Sequence, residues 1–262
     1  MNWMRPLGST DIEVSAVGLG TVKLGRNQGL RLQKPFALPD DASARELLAT
    51  ARDLGINLLD TAPAYGESEQ RLGELLAGQR NDWVICSKAG EEFSDGESHF
   101  DFSAQHITAS VQRSLRRLRC DHIDLLLLHS NGDDLDILKR QASLDALEQL
   151  RREGLIRAFG ISTKTIAGGV QAAACCDAVM LTYNLQQREE AAVLDACAAN
   201  GTGALIKKAL ASGGFSGADK ADFVARSMQL VMDHPATSSV LVGTLSPQHL
   251  AQNCEAARSA MG

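Results

Sequence analysis

Short apolar runs alternate with longer amphipathic stretches along nearly the whole chain. The runs are aliphatic almost throughout, as in the leucines of 125–128, which is typical of parallel strands buried on both faces. The longer stretches carry apolar residues at helical spacing and several begin at a capping residue, such as Ser246 before Pro247. The pattern predicts strands at residues 17–20, 57–60, 83–87, 123–129, 158–162, 178–183, 204–207 and 239–243.

Helices are predicted between and after these strands, and a β-hairpin formed by residues 4–7 and 13–17 precedes them. Eight βα units in 262 residues, without a break in composition, favour a single (β/α)8 TIM barrel domain spanning residues 1–262 with an N-terminal β-hairpin. An open doubly wound sheet is the alternative, since alternation does not prove closure. The polar stretch 91–102 predicts a long βα loop. The predicted helices are residues 42–54, 68–76, 104–118, 140–153, 166–174, 189–199, 219–234 and 247–258.

Composition narrows the class of protein. The net charge is −6 and aromatic residues make up 4% of the chain, which argues against a nucleic-acid-binding surface. The basic cluster at 113–119 has the spacing of the solvent-facing side of a helix. No apolar run is long enough for a signal segment or a membrane span. Six cysteines without a C-x-x-C pair indicate reduced thiols in a cytoplasmic protein with no metal site, and adjacent Cys175 and Cys176 are interpreted as helix-packing residues.

Four side chains at predicted strand ends suggest a reaction. Asp60, Lys88 and His129 each end or follow a predicted strand, and Tyr65 follows Asp60 by five residues. In a (β/α)8 barrel these ends form the active-site face. The set suits carbonyl reduction: Tyr65 donates a proton to the developing alkoxide, Lys88 lowers the pKa of Tyr65, Asp60 holds Lys88, and His129 binds the carbonyl oxygen. Taken singly, each residue also fits a structural role.

Five segments in order resemble the aldo-keto reductase family. They are residues 5–10 with 14–21 (RPLGST and VSAVGLGT), 55–66 (GINLLDTAPAYG), 124–129 (DLLLLH), 156–162 (IRAFGIS) and 240–244 (VLVGT). The resemblance implies an NAD(P)-dependent oxidoreductase with the catalytic residues Asp60, Tyr65, Lys88 and His129. It also implies a small carbonyl substrate, a monomer, and no nucleic-acid or membrane partner.

The resemblance further implies NADP bound across the barrel mouth without a Rossmann domain, which agrees with the lack of a G-x-G-x-x-G motif. Gly20, Thr21 and Val22 are expected at the nicotinamide end, and Ser162 at the carboxamide. Lys207 to Leu210 are expected beneath the pyrophosphate, with the adenosine end at the last βα unit. The implied cofactor-binding residues are Gly20, Thr21, Val22, Ser162, Thr163, Tyr183, Lys207, Lys208, Ala209, Leu210, Gly243, Thr244, His249 and Asn253.

The chain departs from the family pattern at several positions. Thr163 stands where asparagine is common and Met180 where glutamine is usual, so polar contacts to the carboxamide are missing. Leu245 and His249 stand where arginine is frequent, which weakens the case for strict NADP use and leaves NAD or dual use as the alternative.

The substrate pocket is also expected to differ. Ser130 and Asn131 replace a common Trp-Pro pair, so a more open and polar pocket is expected there. Phe93 and Phe100 are candidates to line it, whereas Trp83 is interpreted as a core residue.

Two other functions are compatible with the sequence. One is a barrel lyase or aldolase that forms a Schiff base on Lys88. The other is a non-catalytic nicotinamide-binding barrel with a regulatory or redox-sensing role, which the departures at Thr163 and Met180 leave open.

Overall fold

A computed structural model describes residues 2–30, 35–213 and 220–262 of the chain. Eight parallel strands close into a barrel, so the predicted (β/α)8 fold is confirmed and the open sheet is wrong. All predicted strands are present, with bounds within two residues of the predicted ones. The strands are β1 (Met4–Pro6), β2 (Glu13–Ser15), β3 (Val17–Gly20), β4 (Leu58–Asp60), β5 (Val84–Ala89), β6 (Glu91–Ser94), β7 (Glu97–Phe100), β8 (Ile123–His129), β9 (Ile156–Ser162), β10 (Ala178–Thr182), β11 (Gly203–Lys207) and β12 (Thr237–Val242).

Helices cover the outside of the barrel, and the predicted ones are present within two residues at each end. The prediction 219–234 begins at Asp219, which lies outside the described residues. Two short helices, Val22–Gly25 after β3 and Asp134–Leu138 after β8, are additional to the predictions. The helices are α1 (Val22–Gly25), α2 (Asp41–Asp53), α3 (Ser68–Leu75), α4 (Ala104–Leu118), α5 (Asp134–Leu138), α6 (Gln141–Arg152), α7 (Ile166–Ala173), α8 (Ala191–Asn200), α9 (Lys220–Met232) and α10 (Pro247–Ala260).

The apolar residues divide into two cores, because barrel strands present alternate side chains inward and outward. The outer core lies between the strands and the helices and includes Trp83, as predicted. The inner core fills the barrel, and the β1–β2 hairpin supplies part of it through Leu7, Ile12 and Val14. The hairpin therefore closes the N-terminal end of the barrel, and the opposite end is left for chemistry.

The stretch predicted as a loop at 91–102 is instead a second hairpin. β6 and β7 pair antiparallel, with Glu91 opposite Phe100 and Ser94 opposite Glu97. The turn residues Asp95 and Gly96 both have positive φ, 54° and 87°, as a two-residue hairpin turn requires. The loop prediction is wrong because the Asp-Gly turn signal was outweighed by the polarity of the flanking residues.

The basic cluster on α4 lies toward solvent and pairs with acidic neighbours, as its spacing predicts. Arg113 pairs with Glu92, and Arg119 lies 3.0 Å from Glu74. The interpretation of Cys175 as a helix-packing residue is wrong, because α7 ends at Ala173 and Cys175 is exposed. Cys176, which also follows the helix, is partly buried and does pack against the outer core.

Among the described residues, no helix combines the length and apolar character needed to cross a membrane.

The hairpin at the bottom of the barrel generates a stability prediction. Leu7 is fully buried, so Leu7→Ala should lower the free energy of unfolding by about 2–5 kcal/mol through lost burial and a residual cavity. Urea unfolding measures this. Leu135→Ala is the matched control because Leu135 is 37% exposed, and its effect should stay within about 0.5 kcal/mol. Equal unfolding midpoints for the two variants would contradict the closing role of the hairpin.

Candidate active site

Three neighbouring strands bring the predicted acid, amine and imidazole to one end of the barrel. Asp60 is the last residue of β4, Lys88 the penultimate residue of β5, and His129 the last residue of β8. Since β4, β5 and β8 are adjacent and parallel, their carboxyl ends lie at the same rim. The strand order therefore explains why residues separated by up to 69 positions meet.

Lys88 and Asp60 form a buried ion pair. The Nζ of Lys88 lies 2.5 Å from Oδ1 of Asp60 and donates to the carbonyl oxygen of Thr61 at 2.9 Å. Lys88 is 1% exposed and Asp60 5% exposed. Burial lowers the pKa of Lys88, but the Asp60 carboxylate, with smaller contributions from Tyr65 and Cys86, outweighs it, so the net direction is upward. Lys88 is therefore held as an ammonium ion.

Tyr65 reaches this pair from a 3-10 turn, Pro63–Tyr65, that follows β4. Its hydroxyl lies 3.5 Å from Oδ2 of Asp60, and Nζ of Lys88 lies 4.6 Å from its ring centroid. Gly66, which follows the turn, has a φ of 63°, and a Cβ there would overlap the carbonyl oxygen of Gly25. This close approach to α1 fixes the loop that carries the phenol.

The pKa of Tyr65 moves in the opposite direction from the one predicted. Burial raises the pKa most and the Asp60 carboxylate raises it further, while the Lys88 ammonium lowers it by less. Lys88 therefore acts in the predicted direction, but burial and Asp60 outweigh it, so the expected net lowering of the Tyr65 pKa is wrong. The physical reason is that Asp60, required to hold Lys88, also repels a phenolate.

His129 completes the group and has an acidic neighbour that the sequence did not reveal. The rings of Tyr65 and His129 meet edge to face with centroids 6.2 Å apart. Nδ1 of His129 lies 2.6 Å from Oε2 of Glu91 in β6. Glu91 was missed because 91–102 was taken for a loop. The Asp95-Gly96 turn, which places Glu91 at the start of a hairpin strand, is the signal that could have found it.

The residues implied for the cofactor lie along the rest of the same rim, beginning beside these four side chains: Ser162 is in register with His129, and Gly20 with Asp60. Ser162 ends β9 and Thr163 follows it, and both are buried. Thr163 bonds to the Met180 carbonyl, while the Met180 side chain lies in the barrel core, so neither supplies an amide. Lys207, the last residue of β11, donates to Ser162 Oγ and to the Thr163 carbonyl oxygen, both at 2.8 Å. The Lys207 side chain thus contacts Ser162, and its place beneath a pyrophosphate stays a prediction.

The environment of Lys207 makes its charge variable. Burial lowers its pKa to about 8; Lys208, Lys88 and Lys164 act in the same direction, and Glu190 opposes them. Lys208 itself is exposed and has a φ of 57°. Its carbonyl oxygen accepts a hydrogen bond from an asparagine after β10. Lys207 therefore places an amine of variable charge beside Ser162, a contact that the sequence did not predict.

The remaining implied residues end or follow β3, β10, β11 and β12, or lie in α10. A Cβ on Gly20 would lie 3.6 Å from the Val242 carbonyl oxygen, and one on Gly243 would lie 3.9 Å from the Gly20 carbonyl oxygen, so a side-chain carbon would make ordinary contacts at either position. Thr21 is buried and its hydroxyl donates to the Asp60 carbonyl oxygen at 2.9 Å, which makes it a support for the site. The others are half-buried Val22, Tyr183, Leu210 and Thr244, buried Ala209 and Asn253, and exposed His249.

Comparisons with known proteins agree with this fold. The Aldo/keto reductase family model matches residues 16–234. A crystal structure from Pseudomonas aeruginosa, assigned to the aldo-keto reductases, has a TM-score of 0.90 and 52% identity, and covers 99% of this chain and 95% of that one. D-threo-aldose 1-dehydrogenase from a Pseudomonas species is 34% identical over 236 residues, 79% of this chain and 71% of that protein.

The chain belongs to the aldo/keto reductase family, because the family model covers most of its length. Its match to some curated relatives is partial. The chain spans about half the length, 48%, of the oxidoreductase YqkF of Bacillus subtilis, with 36% identity over 165 residues.

The Lys88–Asp60 pair generates a pH-dependent stability prediction. Asp60→Asn leaves a buried ammonium without a counter-charge, so the free energy of unfolding at pH 7 should fall by about 3–5 kcal/mol. Without Asp60, burial sets the pKa of Lys88 below that of the unfolded chain, about 10.4. The unfolded state then binds more protons, and the variant should gain stability as pH rises from 7 toward 10.

Urea unfolding at pH 7 and 9.5 checks this prediction. In the wild-type protein the pKa of Lys88 is raised, so its contribution is present below about pH 10.4 and is lost only as pH rises through the folded value. Asp136→Asn is the control, since Asp136 pairs with Lys139 and both side chains are about three-quarters exposed. A loss no larger than in the control would rule out the buried pair.

Proposed function

We propose that the chain is an NAD(P)H-dependent oxidoreductase that reduces the carbonyl of small aldehydes or ketones to alcohols, with Tyr65 as the proton donor. The observation that carries the proposal is the meeting of the Tyr65 hydroxyl, the Lys88–Asp60 pair and the His129 ring at the open end of the barrel. Family membership supports the reaction class. Oxidation of the alcohol is the same chemistry run backward.

The four side chains have separate tasks in this proposal. The nicotinamide, when bound, supplies the hydride. The raised pKa of Tyr65 keeps its proton in place across the neutral range. An alkoxide is a stronger base than a phenolate, so the proton still moves from Tyr65 to the new hydroxyl. Lys88 stabilises the resulting phenolate, and His129 hydrogen-bonds the carbonyl oxygen and stabilises its developing charge.

The residues around the rim fit a nicotinamide dinucleotide. Half-buried Lys207 and buried Ser162 offer polar groups in place of the amides missing at Thr163 and Met180. Gly20 and Gly243 carry no side chain, so their backbone can approach a ligand closely. NADP is the first choice by family habit. Leu245 packs against the apolar core and His249 is exposed. Neither supplies a guanidinium that could bind the 2′-phosphate of NADP through two hydrogen bonds. The enzyme is therefore expected to use both NADP and NAD.

The proposed substrate is a small carbonyl compound. D-threo-aldose 1-dehydrogenase, one of the relatives, is named for oxidation of a sugar, and a similarly polar small molecule suits this rim. Ser130 and Asn131 contribute less than their polarity suggests, because Ser130 Oγ accepts from the Gly132 N–H and Asn131 donates to Asp133. Phe93 stacks on Arg26, and Phe100 is 38% exposed near Lys164.

The two alternative functions have less support. Schiff-base formation needs a neutral amine, whereas Lys88 is buried and held as an ammonium by Asp60. A non-catalytic nicotinamide-binding barrel remains the second candidate on the loss of amides at Thr163 and Met180, and turnover measurements separate it from a reductase.

Tyr65→Phe tests the assignment of the proton donor. The substitution removes one hydroxyl and keeps the ring, so kcat for reduction should fall by at least about 100-fold while cofactor affinity stays within about twofold. Steady-state kinetics on a panel of small aldehydes and ketones, with cofactor binding followed by fluorescence, measures both. Wild-type turnover by this variant would eliminate the mechanism. Tight cofactor retention without turnover by the wild-type protein would favour the binding-barrel alternative.

Parallel fluorescence titrations with NADPH and NADH test the cofactor site. The dissociation constants for NADPH and NADH are expected to lie within about tenfold of each other. A single charged hydrogen bond to the 2′-phosphate, worth about 1.5 kcal/mol, would favour NADPH by about that factor, and no arginine stands at position 245 or 249 to make it. Affinity should weaken as pH rises through about 8, where Lys207 loses its proton.

Lys207→Met should weaken binding about tenfold at pH 7 and remove the pH dependence. Lys208→Met, which removes the neighbouring exposed ammonium, is the control and should keep the pH dependence. A tenfold or larger preference, or an unchanged pH profile in Lys207→Met, would count against these contacts.

A further inference from the structure

The acidic neighbour of His129 has no role in the mechanism described so far. Glu91 opens β6, three residues after Lys88, and its Oε2 lies 2.6 Å from Nδ1 of His129. The Glu91 side chain is 12% exposed and that of His129 19% exposed. Nδ1 of His129 is buried and makes no hydrogen bond of good geometry within the described residues. The Glu91 carboxylate is therefore the charge that offsets a proton on this nitrogen. At 2.6 Å the carboxylate acts on the ring through its charge, which favours the imidazolium and a proton on the nitrogen nearest to it.

The hairpin holds Glu91 in this position. Ser98, in the paired strand β7, donates from its hydroxyl to the other carboxylate oxygen of Glu91 at 2.6 Å. The guanidinium of Arg26 lies 3.3 Å from the ring centroid of Phe93 and donates to the Ala64 carbonyl oxygen at 2.9 Å. Arg26 thereby ties the hairpin to the turn that carries the catalytic phenol.

The carboxylate is ionised throughout the useful pH range. Burial raises the pKa of Glu91, but the contact with His129, the bond from Ser98 and the charge of Arg26 outweigh it and lower the value to about 2. The next residue, Glu92, is directed elsewhere and pairs with Arg113 and His106 on α4. One hairpin strand thus carries two adjacent carboxylates, of which only Glu91 contacts His129.

We propose that Glu91 is a positioning residue for His129: it holds the ring proton on Nδ1, stabilises the imidazolium form, and leaves Nε2 as the nitrogen that meets the substrate oxygen. This inference rests on the proposed function. The imidazolium donates from Nε2 to a carbonyl oxygen, as reduction requires. The neutral ring, with its proton retained on Nδ1, offers a lone pair at Nε2 that accepts from an alcohol hydroxyl, as oxidation requires. Glu91 therefore links the direction of the reaction to pH.

The charged groups around His129 make Glu91 necessary for this role. Burial lowers the pKa of His129, and the ammonium groups of Lys88 from β5 and Lys207 from β11 lower it further. Tyr65, from the turn after β4, contacts the ring by its edge and stays neutral. Glu91 is the neighbour that raises the pKa of His129 against these effects. Without Glu91, burial and the ammonium groups of Lys88 and Lys207 all oppose the imidazolium.

Histidine NMR of the cofactor-free protein gives a readout that does not depend on turnover. In ¹⁵N-histidine-labelled protein at a pH above the pKa of His129, the wild-type spectrum should show the neutral ring with its proton on Nδ1, and below that pKa the imidazolium. Glu91→Gln should lower the pKa of His129 by about one unit and remove the Nδ1 preference. His129→Gln assigns the signal, and Glu92→Gln, which removes the adjacent carboxylate, should leave the His129 titration unchanged. An unaltered His129 titration in Glu91→Gln overturns the proposal.

The pH profile of reduction gives the second readout. In the wild-type enzyme kcat/KM should fall as pH rises through the pKa of His129. In Glu91→Gln the fall should begin about one pH unit lower, so kcat/KM on the alkaline side drops about tenfold, while Glu92→Gln follows the wild type. Glu91→Asp should restore part of the profile. If Glu91→Gln lowered kcat/KM by the same factor at every pH, Glu91 would have only a structural role, and the proposal would be overturned.

Two further arms keep the test decisive. If Glu91→Gln does not fold, Ser98→Ala, which loosens the carboxylate without removing it, should shift the His129 titration in the same direction by a smaller amount; no shift overturns the proposal. If the wild-type protein reduces no carbonyl with either cofactor, the proposed function fails. The NMR titration then decides by itself whether Glu91 holds the proton on Nδ1.

Discussion

The buried contact between Lys88 and Asp60 is the constraint on which the active end of the barrel depends. An ammonium ion at 1% exposure is tolerable only beside a carboxylate and further acceptors, which Asp60 and the Thr61 carbonyl provide. Those acceptors must come from the neighbouring strand and the residue after it. The pair therefore fixes how the ends of β4 and β5 meet, and the turn bearing Tyr65 starts from that junction.

The same pair explains an electrostatic compromise. Asp60 keeps Lys88 charged, and it also disfavours a phenolate at Tyr65. Burial and Asp60 together outweigh Lys88, so Tyr65 keeps its proton. Such a residue is ready to give a proton when a stronger base forms beside it, and it does not lose that proton to water beforehand. Burial, which raises the pKa of Tyr65 most, is thus compatible with a donor.

Much of this architecture was accessible from the sequence because its cause is local. Aliphatic strands and capped helices predict the barrel, and polar residues at strand ends, such as Asp60, Lys88 and His129, predict the group of four side chains (with Tyr65) at its rim. What escaped prediction depends on side chains crossing between elements. Glu91 belongs to a polar hairpin with little apolar signal, and Lys207 crosses from β11 to Ser162 on a strand two places away. The direction in which the pKa of Tyr65 moves could not be predicted without knowing how deeply its hydroxyl is buried.

The hairpin of β6 and β7 lies outside the closed barrel, and its strands pair only with each other within the described chain. Barrel closure imposes a register on every wall strand, so a change there is felt around the whole ring. A hairpin attached after β5 is free of that condition. Its turn can lengthen, or its polar face change, without altering the wall. The acid–base character of His129 can therefore diverge among related barrels while the frame that holds the tetrad stays the same.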